Sequence, residues 1–304
     1  MNNEIHDSQA FNNLFIDRLD TAEGINKSAA AGMNFVRTKI RENGIARQII
    51  PPVSVTPADL QVATDHDTLI AVRDIEHDSK AMALNFAAEA NECYLQGKRY
   101  AIPFFKVESE KFVKTEGELL AYKYHITKVI EENSVKDMQT VEDYRWIDHS
   151  EAAVTITGKR LVSASTAMTR GGLNSLVKMI DGDKLTVGCI VMNNVDYDDY
   201  LIQPATEVGS DLASEITVGG YKYKTVLGRR LIVTNKTDLV LPGEAWAYTD
   251  PAYLGDFFIL NDVKFWIKKE ADLVMWKSWE YIGCGIGNIR AVAKLELNVP
   301  NPLP

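Results

Sequence analysis

Gly283, Gly285 and Gly287 come close to a dinucleotide-binding loop, in which glycines let a helix N-terminus approach a pyrophosphate. The third glycine of that pattern would have to stand at Asn288, and the residues after it read as a closing strand, so the cluster is assigned to a tight turn. His149, Ser150 and Glu151 are the residue types of acyl transfer. As sequence neighbours they point in different directions and cannot line up as base, nucleophile and orienting acid. Asp196, Asp198 and Asp199 offer hard oxygen ligands, but without the glycine turn and bidentate glutamate of a calcium loop. His6, His66, His77 and His125 stand singly, without the paired spacing of zinc sites. Cys93, Cys189 and Cys284, odd in number and widely spaced, read as reduced thiols that give no disulfide framework. The residues therefore point to no catalytic centre, no metal and no cofactor.

The bulk numbers set outer limits. A chain of 304 residues, 46% apolar and 25% charged, has ordinary globular composition and can build one large domain or two modest ones. A formal charge of −9 argues against gripping nucleic-acid phosphates over a broad surface, which takes clustered Lys and Arg. It is compatible with walls that enclose DNA without trapping it. The first thirty residues lack a basic start followed by an apolar run, and no apolar stretch approaches the roughly 20 residues of a membrane span. The expectation is a soluble product made in the cytoplasm, with no membrane partner.

The periodicity predicts an α+β chain. Phe11, Leu14, Phe15 and Leu19 share one helical face. Met33, Val36 and Ile40 share another, between Ser28 as a start and Gly44 as a stop. Pro51 and Pro52 divide this arm from the body, so it is expected to lie across something else rather than fold alone. Arg37, Lys39, Arg41 and Arg47 form a basic cluster in the arm, opposed only by Glu42, which reads as a solvated face. Strands are expected over Asp67 to Glu76, Ala81 to Ala88 and Arg99 to Phe112. Together they make a long apolar ribbon with no evident partner in its own sequence, and because a lone ribbon is marginal in water, its cover is expected on another copy. Thr115 and Glu118 have capping-box spacing ahead of a helix that carries Leu119, Tyr122, Ile126, Val129 and Ile130 as far as Asn133; a second helix, Val135 to Ile147, comes after a break at Asn133 and Ser134. Beyond Arg160 the pattern predicts a separate α+β lobe. It has a helix from Thr169 to Ile180, a buried strand from Leu185 to Met192, a polar segment from Asn193 to Tyr200, an exposed loop around Gly209, Gly219 and Gly220, and a hairpin-like region from Tyr221 to Thr234. After a turn at Asn261 and Asp262, Val263, Phe265 and Ile267 alternate with Lys264, Trp266 and Lys268, and Asn288 to Leu297 makes the last strand. Trp246, Trp266, Trp276 and Trp279 read as sheet and interface filling.

Four strings in this order resemble a known family: RTKIRENGIARQIIPP at Arg37 to Pro52, DIEHDSKAMALNF at Asp74 to Phe86, KRYAIPFFKVESEKFVKTEGELLAYK at Lys98 to Lys123, and the run from GDFFILNDVKFWI to WEYIGCGIGNIRAVAKLEL at Gly255 to Leu297. The sequence is similar to the major capsid proteins of tailed bacteriophages, which share the Hong Kong ninety-seven fold. The resemblance implies an N-terminal arm at 1–52, an extended β-hairpin loop at 63–114 and an inserted axial domain at 158–251. It also implies a peripheral domain with a long spine helix and a sheet, at 53–62, 115–157 and 252–300, and a tail at 301–304. It implies a structural subunit that assembles with itself as hexamers and pentamers into an icosahedral head in the virion. Its further partners would be a portal protein at one vertex, scaffold and decoration proteins, and packaged double-stranded DNA held by proximity. The contacts between subunits would involve Phe11, Phe15, Arg37 and Arg41 of the arm, with Arg73, Glu76, Lys80, Lys98 and Arg99 of the ribbon setting register. An encapsulin-like compartment shell is the alternative on the same fold. Some members weld the shell through a loop lysine, for which Lys80 and Lys98 are placed, but no motif supplies the partner asparagine or glutamate and no crosslink is expected. Nor is removal of an amino-terminal segment.

Overall fold

The computed structural model describes residues 2–62, 68–75, 81–86, 89, 92, 98–121, 126–201 and 225–298. Three helices open it: α1 (Asn2–Arg18), α2 (Ala22–Asn43) and α3 (Ile45–Ile49). Short β1 (Val53–Ser54) and β2 (Gln61–Val62) lead to β3 (Leu69–Ile75), β4 (Lys98–Glu108) and β5 (Phe112–Thr115). Then come α4 (Glu116–Ala121) and α5 (Ile126–Thr157). β6 (Arg160–Ser163), α6 (Arg170–Asp181), β7 (Val187–Asn193) and α7 (Asn194–Leu201) are next. The chain closes with β8 (Thr225–Val226), β9 (Arg229–Thr234), β10 (Glu244–Thr249), β11 (Gly255–Glu270), β12 (Leu273–Ile286) and β13 (Val292–Leu297).

Two sheets organise the molecule. Seven strands form one, in the order β1-β11-β12-β4-β3-β2, with β5 on the far end of β12; six form the other, in the order β6-β13-β10-β7-β9-β8. The last strand therefore lies in the six-stranded sheet, parallel to β6 and antiparallel to β10. That sheet shows how a period of two divides a core. Ile190 and Met192 of β7, with Ala245 and Ala247 of β10, face α6 through Leu173, Leu176 and Ile180, while Cys189, Val191, Trp246 and Tyr248 face the long helix α5. Small alanines sit under the helix and aromatic rings fill the wider gap to α5. Trp146 and Tyr248 are 6.2 Å apart across that gap, and Ser150 of α5 both donates to the Trp146 carbonyl (2.9 Å) and hydrogen-bonds the Tyr248 hydroxyl (3.1 Å).

α5 is one helix of 32 residues, without the expected break at Asn133 and Ser134. An interior Asn or Ser lowers helix propensity by roughly 0.5 kcal/mol, too little to outweigh packing. Met138, Glu142, Trp146 and Ser150 recur every fourth residue and are all buried, so the stripe that holds the helix includes polar members. The capping box ahead of it is present: Glu118 N–H donates to the Thr115 hydroxyl and Thr115 N–H to the Glu118 carboxylate, both at 3.3 Å. It starts the short α4.

The arm departs from expectation. α2 begins at Ala22, six residues before Ser28, because the Thr21 hydroxyl accepts from Gly24 N–H at 3.1 Å and caps the helix there. The arm is also not set apart from the body, since Phe15, Ile16 and Leu19 are buried in the chain's own core and Ile25, Ala29 and Met33 pack on it. Gly32 permits the approach, as a Cβ there would stand 2.9 Å from the Phe265 ring. The ribbon, too, is anchored. Residues 98–103 of β4 pair with β3 and residues 104–108 pair with β12, so the hairpin grows out of the seven-stranded sheet. The described residues 81–86 form no strand, contrary to the alternation read there, and Met82, Leu84 and Phe86 are exposed. The loop around Gly209, Gly219 and Gly220 lies outside the described residues.

Asn261 and Asp262 make no turn. β11 runs through them for 16 residues, and the extra residues are absorbed where its pairing with β12 shifts between Ile259 and Lys264. The polar segment after Asn193 is the helix α7. The hairpin read near Thr234 is β8–β9, whose central Leu227 and Gly228 have φ of 52° and 74°, both positive as a two-residue hairpin turn of that kind needs.

Gly283 and Gly285 also belong to a strand, not a turn. Gly283 lies in register with Phe104 on one side and Phe258 on the other, and a Cβ there would stand 3.1 Å from the Phe104 ring. The bare backbone lets the two rings close over it, 6.2 Å apart and nearly parallel. Gly283→Ala is expected to cost about 1–2 kcal/mol in a denaturant titration by forcing the rings apart; an unchanged midpoint would show that they shift freely.

Candidate intersubunit interface

Two structural features bear on how this chain meets other molecules: the exposed end of the ribbon, and the anchors that fix ribbon and arm to the body. Among the described ribbon residues, Met82, Leu84, Phe86, Glu89 and Glu92 are all exposed. Three large apolar side chains in one exposed run are costly to leave in water, at about 25 cal/mol per Å² of apolar surface.

The residues read from sequence as contacts scatter in the structure. Phe11 is 38% exposed, whereas Phe15 is 8% exposed and spends its ring on the chain's own core. Arg37 and Arg41 lie on α2, Lys98 begins β4, and the side chains of all three lie outside the described residues, as do Glu76 and Lys80 altogether. Arg73 lies 4.8 Å over the Phe258 ring and 3.4 Å from the Asp256 carboxylate. Arg99 Nε donates to Asp74 at 2.7 Å across the rung where those two residues face each other. Arg99 therefore ties β3 to β4 and Arg73 ties the ribbon to β11, both through side chains that stay largely exposed. Tyr100 adds a third tie, its hydroxyl donating to Asp256 at 3.0 Å; burial, with the Asp256 charge, pushes that phenol up to about 12, so it remains a donor.

The strongest anchor was missed in the sequence. Arg47, read as part of a solvated basic cluster, is buried, because α3 inserts it between α5 and β12. Its Nε and Nη2 donate to the two oxygens of Glu142 at 2.8 and 2.7 Å, and Nη2 also donates to Glu280 at 2.7 Å. One cation thus faces two buried carboxylates. Burial pulls the Arg47 guanidinium down, but Glu142 and Glu280 outweigh it and hold it above its usual range. Glu280 is pushed well above the ordinary carboxylate range, first by burial and then by its neighbour Glu142. Next to the triad, Ala46 N–H donates to Asp143 at 2.9 Å and Lys236 Nζ to the same carboxylate at 2.5 Å. The only sequence signal was an arginine inside the apolar run Ile45 to Ile50.

The groupings that invited chemistry resolve into structural roles. Ser150 is spent on the α5 seam, and Glu151 pairs with Arg160 and Lys294. His149 is half-buried, and burial together with Arg145 lowers its imidazole. No group of three potential metal ligands occurs among the described residues. Asp196 instead accepts from Gly243 N–H with both oxygens, each at 2.9 Å. Its carboxyl is pushed up to about 6, mainly by burial, against the usual 3.8. A carboxyl raised in the folded state binds a proton there before it does so in the unfolded chain, so stability falls as pH climbs from about 4 to 6. Asp196→Asn is expected to remove that fall, making the variant more stable than the parent by about 2 kcal/mol above pH 6 and no different below pH 4, as read from denaturation midpoints across that range.

No protein-family model and no curated protein matches this sequence. Solved structures do match the fold. The capsid structure of the cyanophage P-SCSP1u aligns with a TM-score of 0.57 at 12% identity, over 84% of this chain and 88% of that one. The mature capsid of bacteriophage PhiM1 aligns at 0.56 and 12% identity, over 86% and 88%. A virus-like particle from Pyrococcus furiosus aligns at 0.53 and 15% identity, over 86% and 98%. Aligned with these capsid and virus-like-particle structures over more than four-fifths of its length, the chain has the α+β Hong Kong ninety-seven fold.

Proposed function

We propose that this chain is the major capsid protein of a tailed bacteriophage, a structural subunit that assembles with itself into a closed shell. The observation that carries the proposal is the exposed run Met82, Leu84 and Phe86 on a ribbon rooted in the sheet and held in register by Arg73, Arg99 and Tyr100. A ribbon this firmly based presents its apolar end to another copy. In this reading 1–52 is the arm, 63–114 the extended loop, 53–62 with 115–157 and 252–300 the peripheral domain, 158–251 the axial domain and 301–304 the tail. Copies meet as hexamers and pentamers in an icosahedral head, with Phe11, Arg37, Arg41, Arg73, Glu76, Lys80, Lys98 and Arg99 at the contacts. The head holds double-stranded DNA, meets a portal at one vertex, and is assembled in the host cytoplasm, where scaffold and decoration proteins act on it. The net charge of −9 suits a wall that does not bind the polymer it encloses. Each overlap can be weak, because closure of the shell makes later contacts intramolecular.

The test is electron microscopy of the expressed chain and of native particles. Closed shells, and in native particles one vertex carrying a tail, are the expected result. A compact small oligomer by gel filtration with no shell by microscopy would overturn the reading. The likeness to a virus-like particle favours a second reading, a compartment shell without portal or genome, and it would show as shells with twelve equivalent vertices.

A further inference from the structure

The Arg47 triad carries a charge that its own members do not balance. Arg47 Nη2 lies 2.7 Å from Glu142 Oε1 and 2.7 Å from Glu280 Oε2, so one nitrogen holds two buried carboxylates side by side. The groups packed around them can be taken element by element. α3 brings Arg47, 5.7 Å from the centre of the Phe257 ring of β11. α5 brings Glu142, and Asp143, which accepts from Ala46 N–H and from Lys236 of the segment after β9. It also brings Arg145, whose guanidinium lies 5.3 Å from the centre of the Phe105 ring. β12 brings Glu280 and the Cys284 thiol, which burial and the Glu142 charge push up to about 12, so it is uncharged. β4 brings the apolar Val107, the residue in register with Glu280. Among these described groups Lys236 answers Asp143 and Arg47 answers one glutamate, which leaves the other glutamate without a cation of its own. Glu280 Oε1 and Arg47 Nη1 are buried with no hydrogen-bond partner. An ionised carboxylate with a bare buried oxygen is costly, and two facing carboxylates relieve that cost by holding one proton between them.

We propose that Glu142 and Glu280 share one proton and that this proton latches α3 to the body: with it the cluster is neutral and closed, and without it α3 opens and lets water reach both carboxylates. The latch sits where the arm meets the body, since α3 is followed at once by Pro51 and Pro52. The sign follows from burial. In the closed form burial, and then Glu142, hold Glu280 well above the ordinary carboxylate range. Opening hydrates the pair and returns it to that range. The closed form therefore binds one proton more than the open form, so α3 opens more readily as pH rises, until the closed form itself gives the proton up. The inference does not depend on the shell reading.

Two measurements test it on the full chain. In infrared spectra at about pH 7, where exposed carboxylates are ionised, the parent is expected to show the carbonyl stretch of a protonated carboxylic acid. That component is expected to fade on titration towards about pH 10 and to be missing from Glu280→Gln. A parent spectrum without it, or one that E280Q leaves unchanged, overturns the shared proton. Hydrogen exchange then follows the latch through the Gln48 and Ile50 amides, which donate to the carbonyls of Gly44 at 3.2 Å and Ala46 at 3.0 Å. After correction for the chemical pH dependence of exchange, opening of α3 is expected to rise about tenfold per pH unit from about pH 5 to the midpoint of the infrared titration, and to level off beyond it. In E280Q, whose amide stands in for the protonated acid, opening is expected to stay constant with pH. Glu142→Gln removes the same excess charge from the α5 side and is expected to behave alike, so the failure of one variant to fold still leaves a decision. Opening that does not change with pH in the parent, or that rises as steeply in the variants, overturns the latch.

Discussion

Arg47→Met alone is expected to destabilise the chain by about 3–5 kcal/mol, the usual cost of removing one member of a buried ion group and leaving its partners without compensation. The size comes from geometry. Arg47 donates three hydrogen bonds to Glu142 and Glu280, all three residues are buried, and the one guanidinium serves both carboxylates. Replacing all three together, with Arg47→Met, Glu142→Leu and Glu280→Leu, is expected to return stability to within about 1 kcal/mol of the parent, because apolar groups of similar volume need no ionic partner. The variant pair also has a pH signature. Glu280 is already raised in the folded chain by burial and by Glu142. Removing Arg47 takes away the influence that lowers it, so the single variant should lose stability steadily as pH rises above 4.5, while the triple variant should not. Denaturation midpoints at pH 4.5 and 8 decide this. Equal deficits at both values would mean that the loss comes from packing around the arginine stem and not from stranded charge.

The triad also marks where sequence reading runs out. Arg47 meets residues 95 and 233 positions away, and nothing local distinguishes it from its neighbours Arg37, Lys39 and Arg41 in a basic run. Features written in a few adjacent residues were legible: the capping box at Thr115 and Glu118, the helix capped by Thr169, whose hydroxyl accepts from Gly172 N–H at 3.1 Å, and the alternation around Phe265. Gly283 was misread for the opposite reason. A glycine in sequence signals backbone freedom, but here its use is to leave room for Phe104 and Phe258, which are set opposite it by strand pairing. The strand read at Ala81 to Ala88 met the converse problem, since alternation shows which faces a strand would have and not whether a partner strand exists. In the arm, the exposed and buried members of one apolar helical face, Phe11 and Phe15, could not be told apart without knowing that α4 and α2 pack on α1. A row of lysines and tryptophans on β11 was legible as Lys264, Trp266 and Lys268; its continuation on the next strand, Lys277 and Trp279, joins it only through the β11–β12 register.

Trp146→Ala is expected to cost about 3–5 kcal/mol, as large-to-small changes at a fully buried aromatic do. Trp146 is among the largest fully buried side chains, and it stands where α5 passes from one sheet to the other. Along one stripe of that helix, Met138 and Glu142 reach Ser278 and Arg47 at the seven-stranded sheet, and the next turns, Trp146 and Ser150, meet Tyr248 in the six-stranded sheet, with Trp246 stacked 6.4 Å beyond. A cavity at Trp146 therefore weakens the seam between the two sheets rather than either sheet's own pairing. The consequence is specific. Hydrogen exchange in the variant should rise along β7 and β10, which lean on α5, while β11 and β12 keep the protection given by their long antiparallel ladder. Trp146→Phe, which keeps a ring beside Tyr248, should recover at least half of the loss. Uniformly raised exchange through both sheets would instead show that they unfold as one unit and that the seam transmits no independent motion. Under the proposed shell function this distinction has a physical meaning, because a seam that can loosen while both ladders hold would let the two lobes adjust to different neighbours without unfolding either.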